Sequence, residues 1–166
     1  MLKQDVASNF LPLPEMPDNF SWVVHNRVAA MGYPDDETNI LYLIKNGITH
    51  IISLTEFTPR CLRRFPEIEV LSVKVDDLTA PSLDQIKQCL HFIDRCISNE
   101  KAVVVHCLHG RGRTGTILAC HLVKRYNMDP DDAIETIRNM RPWSVETRRQ
   151  ENMVRTFAES IIRTDL

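Results

Sequence analysis

The chain has 166 residues, of which 43% are hydrophobic and 25% charged, values typical of a single globular domain. This composition excludes a fully disordered chain, a collagen-like chain and a repeat array. The formal net charge of −2 argues against a nucleic-acid-binding protein that works by bulk positive charge, and no apolar run approaches the roughly 20 residues that cross a bilayer.

The first part of the chain divides into a proline-containing arm and the start of a domain. Residues 1–19 show little periodicity and hold three prolines, Pro12, Pro14 and Pro17. We therefore expect an extended N-terminal arm over 1–19 and the domain itself over 20–166. Two short apolar runs, 20–24 and 27–30, predict a hairpin-sized pair of strands.

The next stretch alternates helical and strand patterns. Apolar residues at helical spacing predict a helix over 35–46, and Gly47 supplies its C-cap. Runs rich in Ile and Val predict strands at 50–54 and 70–75. The stretch between them, 58–69, holds two prolines and predicts an irregular crossover.

The second half repeats this alternation around a buried strand. Ser82 and Gln85 form a capping-box pattern that begins a long helix reaching Ile97. The continuous apolar run 102–106 predicts a strand of the buried parallel type. Apolar spacing then predicts three more helices: over 114–126, from 129 to about 140, and across 153–162. Strands that alternate with helices predict an α/β fold whose sheet lies between helical layers.

A glycine-rich loop follows the strand at 102–106, since three of the five glycines fall within six residues: Gly110, Gly112 and Gly115. A loop of this kind, placed before a helix N-terminus, binds anions because its backbone N–H groups converge and the helix dipole adds positive potential. The spacing also matches the dinucleotide fingerprint, but Glu135, about 20 positions on, falls inside a predicted helix instead of at a strand end. A nucleotide-triphosphate P-loop would need a lysine where this loop has Arg113.

Cys107 opens this loop, so its sulfur should face the converging N–H groups. Arg111, Arg113 and the helix N-terminus all favour the thiolate over the thiol. Arg113 can also hold two phosphate oxygens with its planar guanidinium group. A thiolate below a phosphate, with an arginine beside it, suits nucleophilic attack on phosphorus. The five cysteines contain no Cys-x-x-Cys pair, which argues against a disulfide framework or a zinc site.

Residues 106–114 read His-Cys-x-x-Gly-x-x-Arg-Thr, and in this strand–loop–helix context the chain resembles the cysteine-dependent protein phosphatases. Other short matches bring it nearest to the small atypical dual-specificity phosphatases: residues 19–23, 53–56, 141–142 and 146–151. The resemblance runs from about Phe20 to Ile162. It implies a three-layer α/β domain whose mixed, mainly parallel central sheet is flanked by helices.

The resemblance implies roles for the side chains of the loop. Cys107 attacks the phosphorus, Arg113 holds the phosphoryl group, and the Thr114 hydroxyl stabilises the sulfur as a leaving group. His106 hydrogen-bonds within the loop and helps to keep the thiol acidic. The loop residues between cysteine and arginine surround the phosphate: Leu108, His109, Gly110, Arg111 and Gly112. His109 and Arg111 are bulkier and more basic than is usual in this family, which leaves substrate preference open.

The resemblance also implies a general acid on the loop before the long helix. Asp76 and Asp77 both fit, and Asp77 is preferred because the family's acid follows the strand by one residue and precedes an apolar one. The same aspartate then serves as the base for the attacking water. Glu146 and Gln150 continue the apolar stripe of the last helix backwards, where burial without partners would be costly. They are expected either to border the site and position that water, or to form a helix-start network.

The function implied is hydrolysis of phosphate monoesters on proteins, at phosphotyrosine and, because so short a chain has little sequence to wall a deep pocket, at phosphoserine and phosphothreonine. Three alternatives stay open: an RNA 5′-triphosphatase, a phosphoinositide phosphatase and a phosphate-binding module without turnover. No metal or cofactor is expected. Phosphorylated proteins, not nucleic acid or membrane, are the expected partners of a monomer. The start of the chain lacks a signal-like apolar core, so we expect the protein in the cytosol, and the nucleus is a second expected location.

Overall fold

The computed structural model describes residues 12–164, and at their centre lies a five-stranded sheet in the order β1-β2-β5-β3-β4. Its strands are β1 Ser21–Val24, β2 Val28–Met31, β3 Ile48–Ser53, β4 Glu69–Ser72 and β5 Ala102–His106. β1 and β2 pair antiparallel, and all the other neighbours pair parallel. The predicted mixed, mainly parallel sheet is therefore confirmed.

Five helices and one short 3-10 helix surround the sheet: α1 Glu37–Lys45, the 3-10 helix Arg60–Arg64, α2 Leu83–Ser98, α3 Gly112–Tyr126, α4 Pro130–Met140 and α5 Arg148–Thr164. The sequence explains where several of them begin and end. Both bonds of the capping box between Ser82 and Gln85 are present at the start of α2. Asp129 caps α4 ahead of Pro130, and Gly47 follows α1 with a φ of 75°.

The central strand β5 separates two apolar cores. Val103 and Val105 pack with apolar residues of α2 to α5 on one face, whereas Ala102 and Val104 pack with residues of α1 and the 3-10 helix on the other. All five residues of β5 are buried, so the expectation of a strand covered on both faces is confirmed. The end of this strand is therefore held firmly from both sides.

Several predicted boundaries were wrong by one to five residues, and two of them lie where the chain leaves regular geometry. α3 begins at Gly112, two residues before the predicted start, because the glycine loop itself turns into the first helical turn. β4 ends at Ser72, although the N–H groups of Val73 and Val75 still bond to carbonyls of 53 and 54. The crossover at 58–69 contains the 3-10 helix.

Residues 1–11 of the predicted arm lie outside the described residues. The described end of the arm contacts the domain: the N–H of Glu15 donates to the carbonyl of Thr38, and the N–H of Gly32 to that of Asp18. The division at residue 20 stays a prediction. Among residues 12–164, no helix has both the length and the apolar character to span a membrane.

Candidate active site

The glycine loop, residues 107–112, lies where three parallel strands end. It joins β5 to α3, with the end of β2 on one side and the end of β3 on the other, since β5 pairs with both. The N–H of Leu54, just past β3, donates to the carbonyl of His106. In open α/β sheets, ligands bind at this carboxyl edge of the strands.

Every carbonyl of the loop accepts a hydrogen bond from a residue outside 107–112, so the loop carbonyls point away from the centre of the loop. The pairs, in loop order, are Cys107 O with His106 Nδ1, Leu108 O with Tyr33 N, His109 O with Asn19 Nδ2, Gly110 O with Arg141 Nη2, Arg111 O with Gly115 N and Gly112 O with Thr116 Oγ1. Since the carbonyls turn outward, the N–H groups turn inward. Those of residues 108–111 meet no acceptor among the residues that the structure describes. Converging N–H groups of this kind bind an anion.

Arg141 braces the outside of the loop. Its side chain is 1% exposed, and its guanidinium donates to the carbonyl of Gly110 at 2.7 Å, to the carbonyl of Asn19 at 2.8 Å and to Oγ of Ser21 at 2.6 Å. Burial lowers the pKa of Arg141 to about 10, so the group remains charged at neutral pH. Asn19 and Arg141 belong to the short family matches in the sequence, and no sequence pattern predicted a role for either.

Gly110 is required where the loop passes the end of β2. Its φ is 69°, and a Cβ there would lie 2.3 Å from the carbonyl oxygen of Met31 and 2.8 Å from the N of Gly32. Both are backbone atoms, which cannot move without displacing the strand. A side chain at this position would therefore change the shape of the loop.

Cys107 lies at the base of the loop and is 3% exposed. The four other cysteines differ from it in their surroundings. Burial raises the pKa of the Cys89 thiol to about 12 and that of Cys96 to about 11, and it also raises the pKa of Cys120 and Cys61. At neutral pH these four are therefore protonated thiols, and none of the four lies in the glycine loop.

Arg113 connects the loop to the segment after β4. It is 5% exposed; Nη1 donates to the carbonyl of Val75 at 3.0 Å and Nη2 lies 3.0 Å from Oδ1 of Asp77. Asp76 has a side chain that is 77% exposed and lies 4.0 Å from Nζ of Lys74. Both aspartates line the cleft above Arg113, but Asp77 is the one that pairs with Arg113, and its role as general acid stays a prediction.

His106 and Thr114 are completely buried beside the loop. Nδ1 of His106 lies 3.2 Å from the carbonyl of Cys107, and burial lowers its pKa to about 4, so the ring is neutral at pH 7 and Nδ1 carries the donated proton. The Thr114 hydroxyl has no hydrogen-bond partner among residues 12–164. A buried hydroxyl without a partner costs free energy, so this one is available to a group that arrives during the reaction.

Glu146 and Gln150 both border the loop, because a Cβ on Gly112 would lie 2.4 Å from Oε2 of Glu146 and 2.8 Å from Nε2 of Gln150. Glu146 precedes α5 and is exposed, so it does not continue the buried stripe of the last helix as expected. Gln150 is fully buried. Its Oε1 accepts from the N–H groups of Glu146 and Thr147, and its Nε2 donates to the carbonyl of Thr79, two residues after Asp77.

These contacts form the predicted helix-start network and also connect the segment that carries Asp77 and Thr79 to α5. The carboxamide of Gln150 keeps one N–H on Nε2 beyond the bond to Thr79. Positioning of the attacking water by Gln150 or Glu146 stays a prediction.

A cleft of about 270 Å³ opens above Arg113. Tyr33, Phe57, Val75 and Leu108 provide its apolar walls, and the carboxylate-bearing residues Glu56, Asp76 and Asp77 also line it. Leu108, His109 and Arg111 are exposed on the loop. Among residues 12–164, no three His, Cys, Asp or Glu side chains come together as metal ligands. The arrangement can seat a tetrahedral oxyanion between Cys107 and Arg113.

Comparisons with known proteins agree with this geometry. Residues 17–154 match the family model described as "Swiss Army Knife protein, DSP-PTPase phosphatase domain". The chain is 35% identical over 120 residues to phosphatidylglycerophosphate phosphatase PTPMT1 of Arabidopsis thaliana, covering 69% of this chain and 35% of that protein. It is 30% identical over 142 residues to the dual specificity protein phosphatase CDC14A of Mus musculus, covering 76% of this chain and 23% of that protein.

Among solved structures, the chain is similar to Tk-PTP in the active form, with a TM-score of 0.79 and 27% identity. That match covers 87% of this chain and 99% of the other. The curated relatives are longer: the chain spans about a third of the first and a quarter of the second.

Proposed function

The chain belongs to the dual-specificity phosphatase domain family, and we propose that it is a phosphatase that hydrolyses phosphate monoesters on proteins through a phosphocysteine intermediate. The observation that carries this proposal is the loop 107–112, whose carbonyls are all bound on the outside while Cys107 lies at its base. We further propose a particular similarity to dual-specificity phosphatase 23 among the atypical members, on the short matches at 19–23 and 146–151.

In the first step the Cys107 sulfur attacks phosphorus, an S–P bond forms and the ester P–O bond breaks. The electron pair goes to the departing oxygen, which takes a proton from Asp77. Arg113 and the loop N–H groups hold the three equatorial oxygens. Asp77 lies 3.0 Å from Arg113, so acid and phosphate clamp are neighbours before substrate arrives.

In the second step a water molecule attacks the phosphocysteine. Its proton passes to the Asp77 carboxylate, the P–O bond of inorganic phosphate forms, and the S–P bond breaks to return the thiolate. The unpartnered hydroxyl of Thr114 can then donate to the departing sulfur. No step needs a metal or a redox partner, since each transfers only a phosphoryl group and a proton.

We propose phosphotyrosine as one substrate and phosphoserine and phosphothreonine as others. The cleft above Arg113 is small and its walls, Phe57 and Leu108, are exposed at 76% and 48%. A cleft that is open at the sides admits short phosphorylated side chains as well as the longer tyrosine. Rates on peptides that differ only in the phosphorylated residue test this, and strict preference for phosphotyrosine would overturn it.

A phospholipid headgroup is a second candidate substrate, because one of the relatives is named a phosphatidylglycerophosphate phosphatase. Exposed Phe57 and Leu108 beside the cleft suit an apolar neighbour as well as a peptide. Short-chain phosphatidylglycerophosphate and triphosphate-ended RNA, assayed beside phosphopeptides, discriminate these alternatives. Higher kcat/KM on either than on every phosphopeptide would replace the protein-phosphatase proposal.

The proposed nucleophile is tested with Cys107→Ser on a chromogenic aryl phosphate. We expect hydrolysis to fall by roughly three orders of magnitude or more, because the hydroxyl of serine is not ionised at neutral pH. Cys61→Ser is the matched control, since Cys61 is half-buried outside the loop, and it should keep the wild-type rate. Equal rates in wild type and Cys107→Ser would refute the assignment.

The proposed acid is tested with the neighbouring pair Asp77→Asn and Asp76→Asn. Asp77→Asn should slow turnover of esters with poor leaving groups by about 10²-fold or more and affect good leaving groups much less. Asp76→Asn should leave both nearly unchanged, because the carboxylate of Asp76 lies near Lys74 while Arg113 pairs with Asp77. The reverse pattern would show that the acid is Asp76.

A further inference from the structure

A second cleft, of about 840 Å³, continues from the phosphate cleft along the 3-10 helix Arg60–Arg64. Tyr33 and Phe57 belong to the walls of both clefts, so the two share one rim. The volume lies in the range of clefts that enclose a drug-sized molecule. Residues that flank the phosphorylated side chain of a peptide therefore have a surface to lie on.

Two arginines give this second cleft its charge. Arg60 and Arg63 line it and are exposed, and neither guanidinium forms a hydrogen bond or ion pair with any residue in the range 12–164. The acidic side chain in the lining is Asp35, which leaves the cleft with an excess of positive charge. The third arginine of the 3-10 helix, Arg64, behaves differently: it pairs with Glu37 at 2.7 Å and does not line the cleft.

The 3-10 helix fixes where these arginines stand. Leu62, between them, is 7% exposed and packs in the core with α1 and the sheet. The N–H of Leu62 donates to the carbonyl of Pro59, and the N–H of Phe65 donates to that of Leu62. Arg60 and Arg63 therefore project from an anchored turn into the cleft.

We propose that this cleft binds acidic side chains that flank the phosphorylated residue of a substrate peptide, and that Arg60 and Arg63 are the specificity-determining residues. This inference rests on the proposed protein-phosphatase function. A guanidinium group binds a carboxylate or a second phosphate with two parallel N–H bonds. Tyr33 and Phe57 meanwhile provide an apolar wall for the peptide between the two anions.

The test compares phosphotyrosine peptides that carry three glutamates before the phosphotyrosine, three after it, or glutamines at all six positions. We expect at least one acidic peptide to exceed the glutamine peptide in kcat/KM by about three- to thirty-fold, the effect of two partly exposed ion pairs. The preference should fall as salt increases. In Arg60→Ala/Arg63→Ala it should disappear, while hydrolysis of an aryl phosphate stays at the wild-type rate.

Two further variants keep the test specific. Arg64→Ala removes an arginine from the same 3-10 helix but not from the cleft, and should retain the preference. Arg60→Glu/Arg63→Glu should disfavour glutamate peptides relative to lysine peptides. The inference is overturned if the glutamine peptide is hydrolysed as fast as both acidic ones, or if the double alanine variant keeps the preference. If aryl phosphate is hydrolysed but no peptide is, the proposed protein-phosphatase function itself fails.

Discussion

Replacing the buried Arg141 with methionine should both destabilise the domain and damage the phosphate loop. Three hydrogen bonds of 2.6 to 2.8 Å would be lost, to Ser21, Gly110 and Asn19. Bonds from a charged donor contribute about 1.5–3 kcal/mol each. Burial lowers the pKa of Arg141 from 12.5 to about 10, which corresponds to about 3 kcal/mol of opposing cost for holding the charge there. We therefore expect the free energy of unfolding to fall by about 3 kcal/mol.

The loss of activity should exceed what partial unfolding explains. Without Arg141 the carbonyl of Gly110 keeps a bond from Asn19 at 3.2 Å but loses the stronger one, so it can turn and disturb the inward N–H groups. Urea denaturation measures the stability, and the inhibition constant of inorganic phosphate, taken well below the unfolding temperature, measures the loop.

Arg141→Lys should lie between wild type and Arg141→Met, because one ammonium group cannot serve all three acceptors at once. Arg149→Met, an exposed position on α5, is the control and should change neither quantity. If Arg141→Met kept its unfolding free energy within about 1 kcal/mol and bound phosphate as wild type does, the bracing argument would be wrong.

Three more predictions concern Gly110, Gln150 and the two buried histidines. Gly110→Ala should reduce kcat/KM by about 10²-fold because its Cβ collides with backbone at the end of β2; wild-type steady-state rates would contradict this. Gln150→Leu should lower the unfolding free energy by about 1–3 kcal/mol, because the carbonyl of Thr79 loses its donor. It should also steepen the dependence of rate on leaving-group pKa. An unchanged slope would show that the bond from Gln150 to Thr79 does not position the segment of Asp77. His106 and His121 are buried with pKa values lowered to about 4, so the unfolded chain binds more protons and stability falls as pH drops from 6.5 towards 4. Between pH 7 and pH 5, each histidine should lower the free energy of unfolding by about 2 kcal/mol. His121→Leu should remove the contribution of His121, as measured by urea denaturation at the two pH values. An equal pH dependence in wild type and variant would refute this prediction.

Local patterns predicted the centre of the site because its geometry is itself local. Cys107 and Arg113 belong to one strand–loop–helix unit, in which Arg113 follows Cys107 by six positions. The capping box of α2 and the buried character of β5 are likewise properties of short segments. Such features depend on residues near in sequence, so the spacing of residue types was sufficient.

The braces around the loop could not be predicted in this way. Arg141 reaches Asn19 across 122 positions of sequence, and Asn19 reaches His109 across 90. A sequence pattern shows an arginine before a proline, which is ordinary at a surface, and burial of its charge becomes visible only when the fold is known. The strand order, with β5 inserted between β2 and β3, has the same non-local origin.

Asp77 was preferred over Asp76 from the sequence because the family's general acid follows its strand by one residue and precedes an apolar residue. The structure gives that preference a physical basis, since Arg113 pairs with Asp77 while Lys74 is the cation near Asp76. Gln150 shows the opposite situation: the sequence placed it correctly at the start of the last helix, but not its bond to Thr79, which links two distant segments.

In the proposed mechanism the sulfur of Cys107 becomes covalently bonded to phosphorus. Rapid acid quench of the protein during turnover of an aryl phosphate, followed by trypsin and mass spectrometry, tests it directly. Cleavage after Lys101 and Arg111 isolates a peptide whose one cysteine is Cys107. We expect the added mass of one phosphoryl group on this peptide, and none in Cys107→Ser. Turnover with the phosphoryl group on another residue, or with no phosphorylated protein under any quench time, would contradict it.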